Sequence, residues 1–237
     1  MLTEILLREF INTFVGYGDF ASDHWFIGME EGGGGSLDEV SRRLAVWESH
    51  GKPVLEDVSR FHEELGMPEY FHEPVKLQRT WAQLCRVFLS SQELPDDVGA
   101  VRQFQKGHLG RENDSTRILE LLPLPSPGTN RWFYPQWSTK DFLQTREDYM
   151  KKMIPLRIGK LRERIRIHKP TFVVCYGVGY SDYWGEIAGV PFQKNPSGFS
   201  WGENGKTLFV IMTHPVAQGV TNQYFRDIGV FLKDYGE

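Results

Sequence analysis

The sequence predicts a three-layer α/β/α sandwich around a central parallel sheet of four strands. Four short runs of apolar, β-branched or aromatic residues are nearly continuous instead of alternating, which is typical of strands buried on both faces. These runs are His24–Met29, Arg117–Leu122, Thr171–Tyr176 and Thr207–Met212. Helical stretches separate them, so we expect βαβ units with helices on both faces of the sheet.

Five helices are predicted from apolar residues at helical spacing. They cover Leu2–Val15, Leu37–His50, Val75–Ser90, Lys140–His168 and Gln223–Tyr235. The second should begin after Ser36, a plausible N-cap with Glu39 three positions further on. The fourth should break at Pro155, because proline lacks the amide hydrogen that a helix interior uses.

The length of 237 residues predicts a single α/β domain over residues 1–237. The connection between the first two strands is too long for one crossover helix. We therefore expect residues 37–113, approximately, to form a helical insertion, either a subdomain or a lid.

Composition excludes several classes of protein. A net charge of -4 argues against wholesale coating of nucleic acid, although a local basic patch remains compatible with it. Cys85 and Cys175 each lie in an apolar run, which predicts buried, reduced thiols and excludes a four-cysteine cluster. The charged amino terminus is unlike a signal peptide, and no apolar run is long enough to span a membrane. We expect a cytoplasmic monomer without a metal or cofactor.

The carboxyl ends of the predicted strands should share one crevice, where parallel sheets bind ligands. Glu30 and Glu31 follow the first strand and precede the glycine run 32–35, and His214-Pro215 follows the last strand. A carboxylate and a histidine at the ends of two buried strands suggest hydrolysis. The simpler alternatives are a flexible turn with two solvated carboxylates and a histidine with an ordinary polar role.

Three further segments leave alternatives open. The aromatic residues at 132–134, in the proline-rich loop after the second strand, could stack on a base or staple the loop to the core. The glycine turn Gly177–Gly179 indicates close packing or an anion site, not a dinucleotide cofactor. The segment Lys151–Lys169 carries eight basic residues and one acidic residue, so it is either a solvated helix face or a phosphate contact through Arg157 and Lys160.

Taken together, four segments match a known family in order and spacing: Gly28–Gly32, Pro125–Arg131, Gly177–Gly179 and His214–Phe225. In this combination the chain resembles the uracil-DNA glycosylase superfamily, and the His-Pro segment is the most specific of the four. The resemblance extends from residue 24 to the C-terminus. It implies a four-stranded parallel sheet between helices, the fold that the apolar runs also predict.

The resemblance implies a role for several residues. Glu30 takes the place of the acid or amide that activates water, with Glu31 as the second candidate carboxylate, and His214 that of the histidine that stabilises negative charge on the departing base. The implied base pocket consists of Gly28, Met29, Gly32, Leu121 and Phe133. The implied DNA contacts are Arg131 and the loop with Gln218, Gly219, Val220 and Asn222, part of which wedges into the duplex where the base leaves.

The departures from the family pattern bear on the substrate. Glu31 stands where the motif has proline, and Gly32 stands where some members have a tyrosine that guards the uracil pocket. The asparagine that reads the uracil edge in many members should lie near Glu120 or Leu121, and no asparagine is there. A pocket without that amide and that guard should hold a larger base.

We therefore expect a monofunctional DNA glycosylase that removes a flipped, modified base, in DNA repair or in defence against phage with modified DNA. The motifs contain no lysine, so a Schiff-base lyase step is not expected. Three alternatives stay open: a DNA-binding protein that does not cleave, a uracil-DNA glycosylase, and a nucleoside hydrolase on the same scaffold.

Overall fold

A computed structural model describes residues 2–236 of the protein and contains one mixed sheet of eight strands. The strands are β1 (Gly16–Tyr17), β2 (His24–Gly28), β3 (Leu55–Glu56), β4 (Thr116–Glu120), β5 (Phe172–Tyr176), β6 (Gln193–Lys194), β7 (Ser200–Glu203) and β8 (Leu208–Met212). Their order in the sheet is β3-β1-β4-β2-β5-β8-β7-β6. The α/β fold class predicted from the sequence is confirmed, with a wider sheet than expected.

The four predicted strands are the four parallel strands at the centre, β4-β2-β5-β8. Every residue in them is buried, as their continuous apolar character predicts. The four strands that the sequence did not predict extend the two edges, and β1 and β7 pair antiparallel with β4 and β8. Each has only two to four residues, too few for a recognisable pattern.

Eight α-helices surround the sheet within the described part of the chain. They are α1 (Glu4–Thr13), α2 (Leu37–Ser49), α3 (Val58–Glu64), α4 (Arg79–Ser91), α5 (Val98–Gly107), α6 (Arg146–His168), α7 (Ser181–Ala188) and α8 (Asn222–Gly236). The predicted start of α2 is confirmed, since the Ser36 side chain accepts a hydrogen bond from the Glu39 amide.

The predicted break at Pro155 is wrong, because α6 continues through it. The helix has a buried face on both sides of the proline, with Met153 and Ile154 before it and Ile158 and Leu161 after it. Packing of that face compensates for the loss of the hydrogen bond that proline cannot make. The helix begins at Arg146 instead of Lys140, after a short 3₁₀ turn at Asp141–Leu143.

The helices divide between the two faces of the sheet. On one face α4 packs against α8, and the His24 ring of β2 meets Phe88 of α4 at a centroid distance of 4.9 Å. On the other face α6 contacts β2, where His168 and Trp25 lie 6.1 Å apart. The predicted insertion, residues 37–113, thus contains α2 to α5 and the edge strand β3, and its helix α4 covers one face of the sheet.

Both cysteines are buried and free, as predicted. None of the helices in residues 2–236 is long and apolar enough to cross a membrane.

Candidate functional site at the carboxyl edge of the sheet

The strand order places the topological switch point of the sheet between β2 and β5. The chain leaves β2 toward β4 on one side and leaves β5 toward β8 on the other. Connections that diverge in this way open a gap at the carboxyl edge, the usual ligand site of α/β sheets. The loops after Gly28 and Tyr176 border that gap.

Three residues that end neighbouring strands form a row across this edge. Glu120, Gly28 and Tyr176 end β4, β2 and β5 at the same level of the sheet. Gly28 has no side chain, and the Tyr176 ring occupies the vacated space: a Cβ on Gly28 would lie 2.2 Å from the Tyr176 hydroxyl. That hydroxyl donates a hydrogen bond of 3.3 Å to Glu120 Oε1. Only glycine fits at position 28, because the Tyr176 side chain approaches the backbone there. Tyr176 thus links β5 to β4 across Gly28.

Glu30 points to the start of α6. Its Oε1 accepts a hydrogen bond from the Arg146 guanidinium, and the two side chains are only 9% and 14% exposed. Glu30 Oε2 is buried and has no hydrogen-bond partner among residues 2–236. Burial raises the pKa of Glu30, and the bond and charge of Arg146 oppose that rise. One oxygen is thus held in place while the other is left to accept a proton or a water.

Glu31 lies in a different environment from its neighbour. It forms an ion pair with Arg43, accepts a 2.7 Å hydrogen bond from the Tyr17 hydroxyl and lies 3.4 Å from His62 Nε2. Burial by itself raises the pKa of Glu31, but Arg43, His62 and Tyr17 together lower it to about 2. Glu31 is therefore ionised at neutral pH, with both oxygens engaged.

The glycine run after Glu31 is ordered by specific contacts. The amides of Gly34 and Gly35 donate to the Glu39 carboxylate at 2.7 and 3.0 Å. Gly34 has φ +70°, and a Cβ there would lie 2.5 Å from the carbonyl oxygen of Pro125. The alternative of a flexible turn with two solvated carboxylates is therefore wrong, because the turn is fixed and both carboxylates are paired.

His214 follows β8 and is half-buried. Its ring meets Tyr176 edge-to-face at 5.7 Å. Nδ1 accepts a hydrogen bond of 3.3 Å from the Val216 amide, which assigns the proton of the neutral ring to Nε2. Burial lowers the pKa of His214, so the ring is neutral at neutral pH. It can donate a hydrogen bond from Nε2 to a group that gains negative charge.

Glu30 and His214 lie at the same edge of the sheet, in the loops that follow β2 and β8, and β5 separates these two strands. Tyr176 stands between them, in contact with Gly28 on one side and His214 on the other. Glu30 and His214 do not contact each other within the described residues. Tyr176 therefore lies between the ends of the strands that Glu30 and His214 follow.

The residues predicted for the base pocket differ in accessibility. Met29 and Leu121 are buried, and Gly32 is exposed, with open space where a Cβ would lie. Phe133 is half-buried and packs against Trp137 at 6.2 Å. Two pocket residues are thus part of the core, and Gly32 and Phe133 remain available to a ligand.

The neighbouring aromatic residues of the proline-rich loop staple it to the core. Trp132 stacks on Tyr149 at 4.8 Å and donates to the Leu143 carbonyl, and the Tyr134 hydroxyl donates to the Pro125 carbonyl. These contacts favour the structural alternative for Trp132 and Tyr134.

The predicted DNA contacts fall into two groups. Arg131, Gln218, Gly219 and Asn222 are exposed and Val220 is half-buried, all in segments that follow β4 and β8 at the carboxyl edge. Lys160 is half-buried, and its ammonium donates to the Asn12 carbonyl.

The prediction that Arg157 contacts DNA is wrong, because this side chain is completely buried. Its guanidinium donates to the carbonyl oxygens of Phe14, Glu120 and Leu121 at 2.8–2.9 Å. Burial lowers the pKa of Arg157 to about 10, which still leaves it charged at neutral pH. Arg157 of α6 thus binds the backbone at the end of β4.

A cleft of about 610 Å³ lies between α6 and α7, beside the ion pair of Glu30. Arg146 contributes to its wall. The other lining residues are Thr129, Glu147, Met150, Lys151, Ile154, Pro155, Ile158, Tyr183 and Glu186. Its volume falls in the range of small-ligand sites, and it opens to solvent at Arg146, the partner of Glu30.

Sequence reasoning missed Glu120, Tyr176 and Arg146 as members of this site. Glu120 carried a signal, since it is a carboxylate at the end of a buried strand, as Glu30 is. Tyr176 looked like the last residue of an apolar strand. Arg146 carried no local signal, because only the fold brings α6 to the loop after β2.

The chain matches no protein-family model, and no curated protein matches its sequence.

Proposed function

We propose that this protein is a monofunctional DNA glycosylase that hydrolyses the N-glycosidic bond of a flipped, modified base. The observation that supports this most strongly is the placement of Glu30 and His214 on either side of Tyr176, at the topological switch of the sheet. A carboxylate and a neutral imidazole at the same edge of the sheet can stabilise opposite charges on one bound substrate.

The two side chains would act on opposite ends of the breaking bond. As the bond lengthens, the sugar gains positive charge and the base gains negative charge. Glu30 would orient the attacking water through its free Oε2 and stabilise the sugar cation. His214 would donate a hydrogen bond from Nε2 to the base, because its Nδ1 is occupied by the Val216 amide.

Duplex DNA is the proposed partner of the exposed loop with Gln218 and Gly219. A glycosylase must extrude its target base, and a short loop beside the crevice can fill the gap that the base leaves. Arg131 is exposed in a segment at the same edge and can contact the phosphate backbone. We further propose that the protein acts as a cytoplasmic monomer, in DNA repair or in defence against phage with modified DNA.

A base larger than uracil is the proposed substrate. Open space surrounds Gly32, so no side chain at that position restricts the size of a base. The residues at the end of β4 offer no amide to read the uracil edge, since Glu120 and Leu121 occupy it. A site without a matching donor and acceptor discriminates poorly in favour of uracil.

A DNA-binding protein without cleavage is the second candidate. It is favoured by the pairing of both carboxylates after β2, Glu30 with Arg146 and Glu31 with Arg43. A panel of duplexes with single modified bases separates the two, with alkali-induced strand cleavage at abasic sites and gel mobility shift measured on parallel samples. Cleavage after alkali at one modified base supports the glycosylase, and a mobility shift without such cleavage at any base supports the second candidate.

A further inference from the structure

Glu120 is a buried carboxyl group that the roles described so far do not use. Its side chain ends β4 and only 4% of the residue is exposed. Oε1 accepts from the Tyr176 hydroxyl, while Oε2 is buried without a hydrogen-bond partner in the part of the chain that the structure describes. Buried polar atoms of native proteins nearly always have a partner, so an unpaired one indicates a ligand, a water or a catalytic role.

The groups around Glu120 determine its protonation state. Glu31 and Glu30 face it from the loop after β2, Tyr176 faces it from β5, and Arg157 approaches from α6. Burial raises the pKa of Glu120 well above its usual range, and the negative charge of Glu31 raises it further. Glu31 is ionised because Arg43 neutralises it, whereas Arg157 is engaged by three backbone carbonyls. The fixed negative charge of Glu31 thus favours the protonated form of Glu120.

We propose that Glu120 is the general acid that protonates the departing base from Oε2, a role that rests on the proposed glycosylase function. The geometry that carries this is an unpaired carboxyl oxygen at the carboxyl edge of the sheet, on a side chain level with Gly28 and bonded to Tyr176, which also contacts His214. Tyr176 occupies Oε1, so the proton resides on Oε2 and is free to be donated.

The step balances in atoms and charge. The bond between C1′ and the base nitrogen breaks, and its electron pair goes to the base. The base takes the proton of Glu120, which becomes a carboxylate. Water adds to C1′ and gives its proton to the Glu30 carboxylate, and exchange with solvent returns both groups to their starting states. The substrate class that follows is a base that leaves poorly as an anion and presents a ring nitrogen or carbonyl oxygen to Glu120.

The protonation state can be measured without any substrate. Protein labelled with ¹³C at the glutamate side-chain carboxyl is titrated by NMR, and Glu120→Gln assigns the resonance of Glu120 by its loss. We expect a neutral carboxyl at pH 7. An ionised Glu120 at pH 7 would overturn the proposed acid whether or not the protein releases a base.

The rate of base release tests the role of Glu120 directly, on a duplex of the panel from which the wild type releases a base. Glutamine keeps the volume and the hydrogen bond but cannot transfer a proton as an acid, so Glu120→Gln should slow release about 10²–10⁴-fold. Duplex binding should be unchanged. Glu203→Gln, an exposed carboxylate at the end of β7, is the control and should release base at the wild-type rate.

The remaining outcomes distinguish failure of the proposed Glu120 acid from failure of the proposed glycosylase function. Wild-type release by Glu120→Gln would refute the acid and leave the glycosylase standing, whereas no release from any duplex by the wild type would refute both. If Glu120→Gln does not fold, Glu120→Asp, which also lacks the labelled glutamate carboxyl, assigns the resonance, and the wild-type pH profile decides. Release must then fall as pH rises through the pKa of Glu120, and a flat profile there contradicts the proposal.

Discussion

Glu30 and Glu31 are adjacent in sequence but differ in what their oxygens do. Glu31 has an arginine, a tyrosine and a histidine around it, and both of its oxygens are engaged. Glu30 has one partner, Arg146, and one buried oxygen without a protein partner in residues 2–236. An oxygen that is held in position and unpaired is suited to bind water, so Glu30 is the better candidate for catalysis. Glu31 supplies a fixed negative charge beside it.

Replacing Glu30 by glutamine should lower the rate of base release by about 10²–10⁴-fold, the usual effect of losing a group that transfers a proton or stabilises charge. Duplex binding should persist, because Glu30 is buried and paired with Arg146. Single-turnover release assays and mobility shifts on one duplex measure the two effects. If Glu31→Gln stops release while Glu30→Gln is silent, the roles of the two carboxylates are reversed.

Stability should depend on the charge of Glu31. Its pKa is about 2 in the folded protein, below the usual 4.5, so the folded state favours the ionised form. The resulting stabilisation is present above pH 4.5 and is lost as pH falls toward 2, and amounts to about 3 kcal/mol. Urea unfolding of wild type and Glu31→Gln at several pH values tests this. The difference between them should shrink as pH falls, and a constant difference would show that the ion pair does not set the pKa.

Among the elements, the end of β2 depends on the absence of a side chain at Gly28. A Cβ there would lie 2.2 Å from the Tyr176 hydroxyl, which is the far end of a buried ring that also contacts Glu120. Gly28→Ala should therefore displace Tyr176 and destabilise the protein by about 1–3 kcal/mol, the usual cost of overpacking. Gly32→Ala is the matched control, since nothing lies within 4 Å of its Cβ position. Thermal unfolding should distinguish the two, and equal melting temperatures would contradict this description of the edge.

Helix α6 carries basic residues at both ends, and only its first half lies near the carboxyl edge. Lys151 is exposed beside Arg146, whereas Arg166 is about 22 Å further along the helix. Charge reversal of Arg131 and Lys151 together should weaken duplex binding and flatten its salt dependence by about 0.9 for each lost phosphate contact. Reversal of Arg166 and Lys206, which line a cleft at the opposite edge, is the control. Equal effects of the two pairs would refute a DNA surface at the carboxyl edge.

For the molecule as a whole, the degree of burial of each element determined whether the sequence could predict it. The four central strands were predictable because both of their faces are covered, so their residues are almost all apolar. The edge strands were not, since two to four residues show no period. Arg157 was misjudged as part of a basic surface, although it shares the apolar face of α6 with Ile154, Ile158 and Leu161. That spacing was the available signal for its burial.

The functional site was predictable in part for a related reason. Glu30 and His214 follow buried strands directly, so the position of the strand fixes the position of the residue. Arg146 reaches Glu30 from 116 positions away in sequence, and the pairing of Tyr176 with Glu120 depends on the order of the strands. Contacts of this kind arise from the topology of the sheet, which no local pattern encodes.

Direct detection of free base tests the central claim. The wild-type protein is incubated with duplexes that carry uracil or one of several bulky modified pyrimidines, and released bases are identified by mass spectrometry. We predict release of a modified base, faster than release of uracil from a U·A pair, and its loss in Glu30→Gln. Release of no base from any duplex would contradict the proposed glycosylase, and fast, selective release of uracil would contradict the proposed substrate.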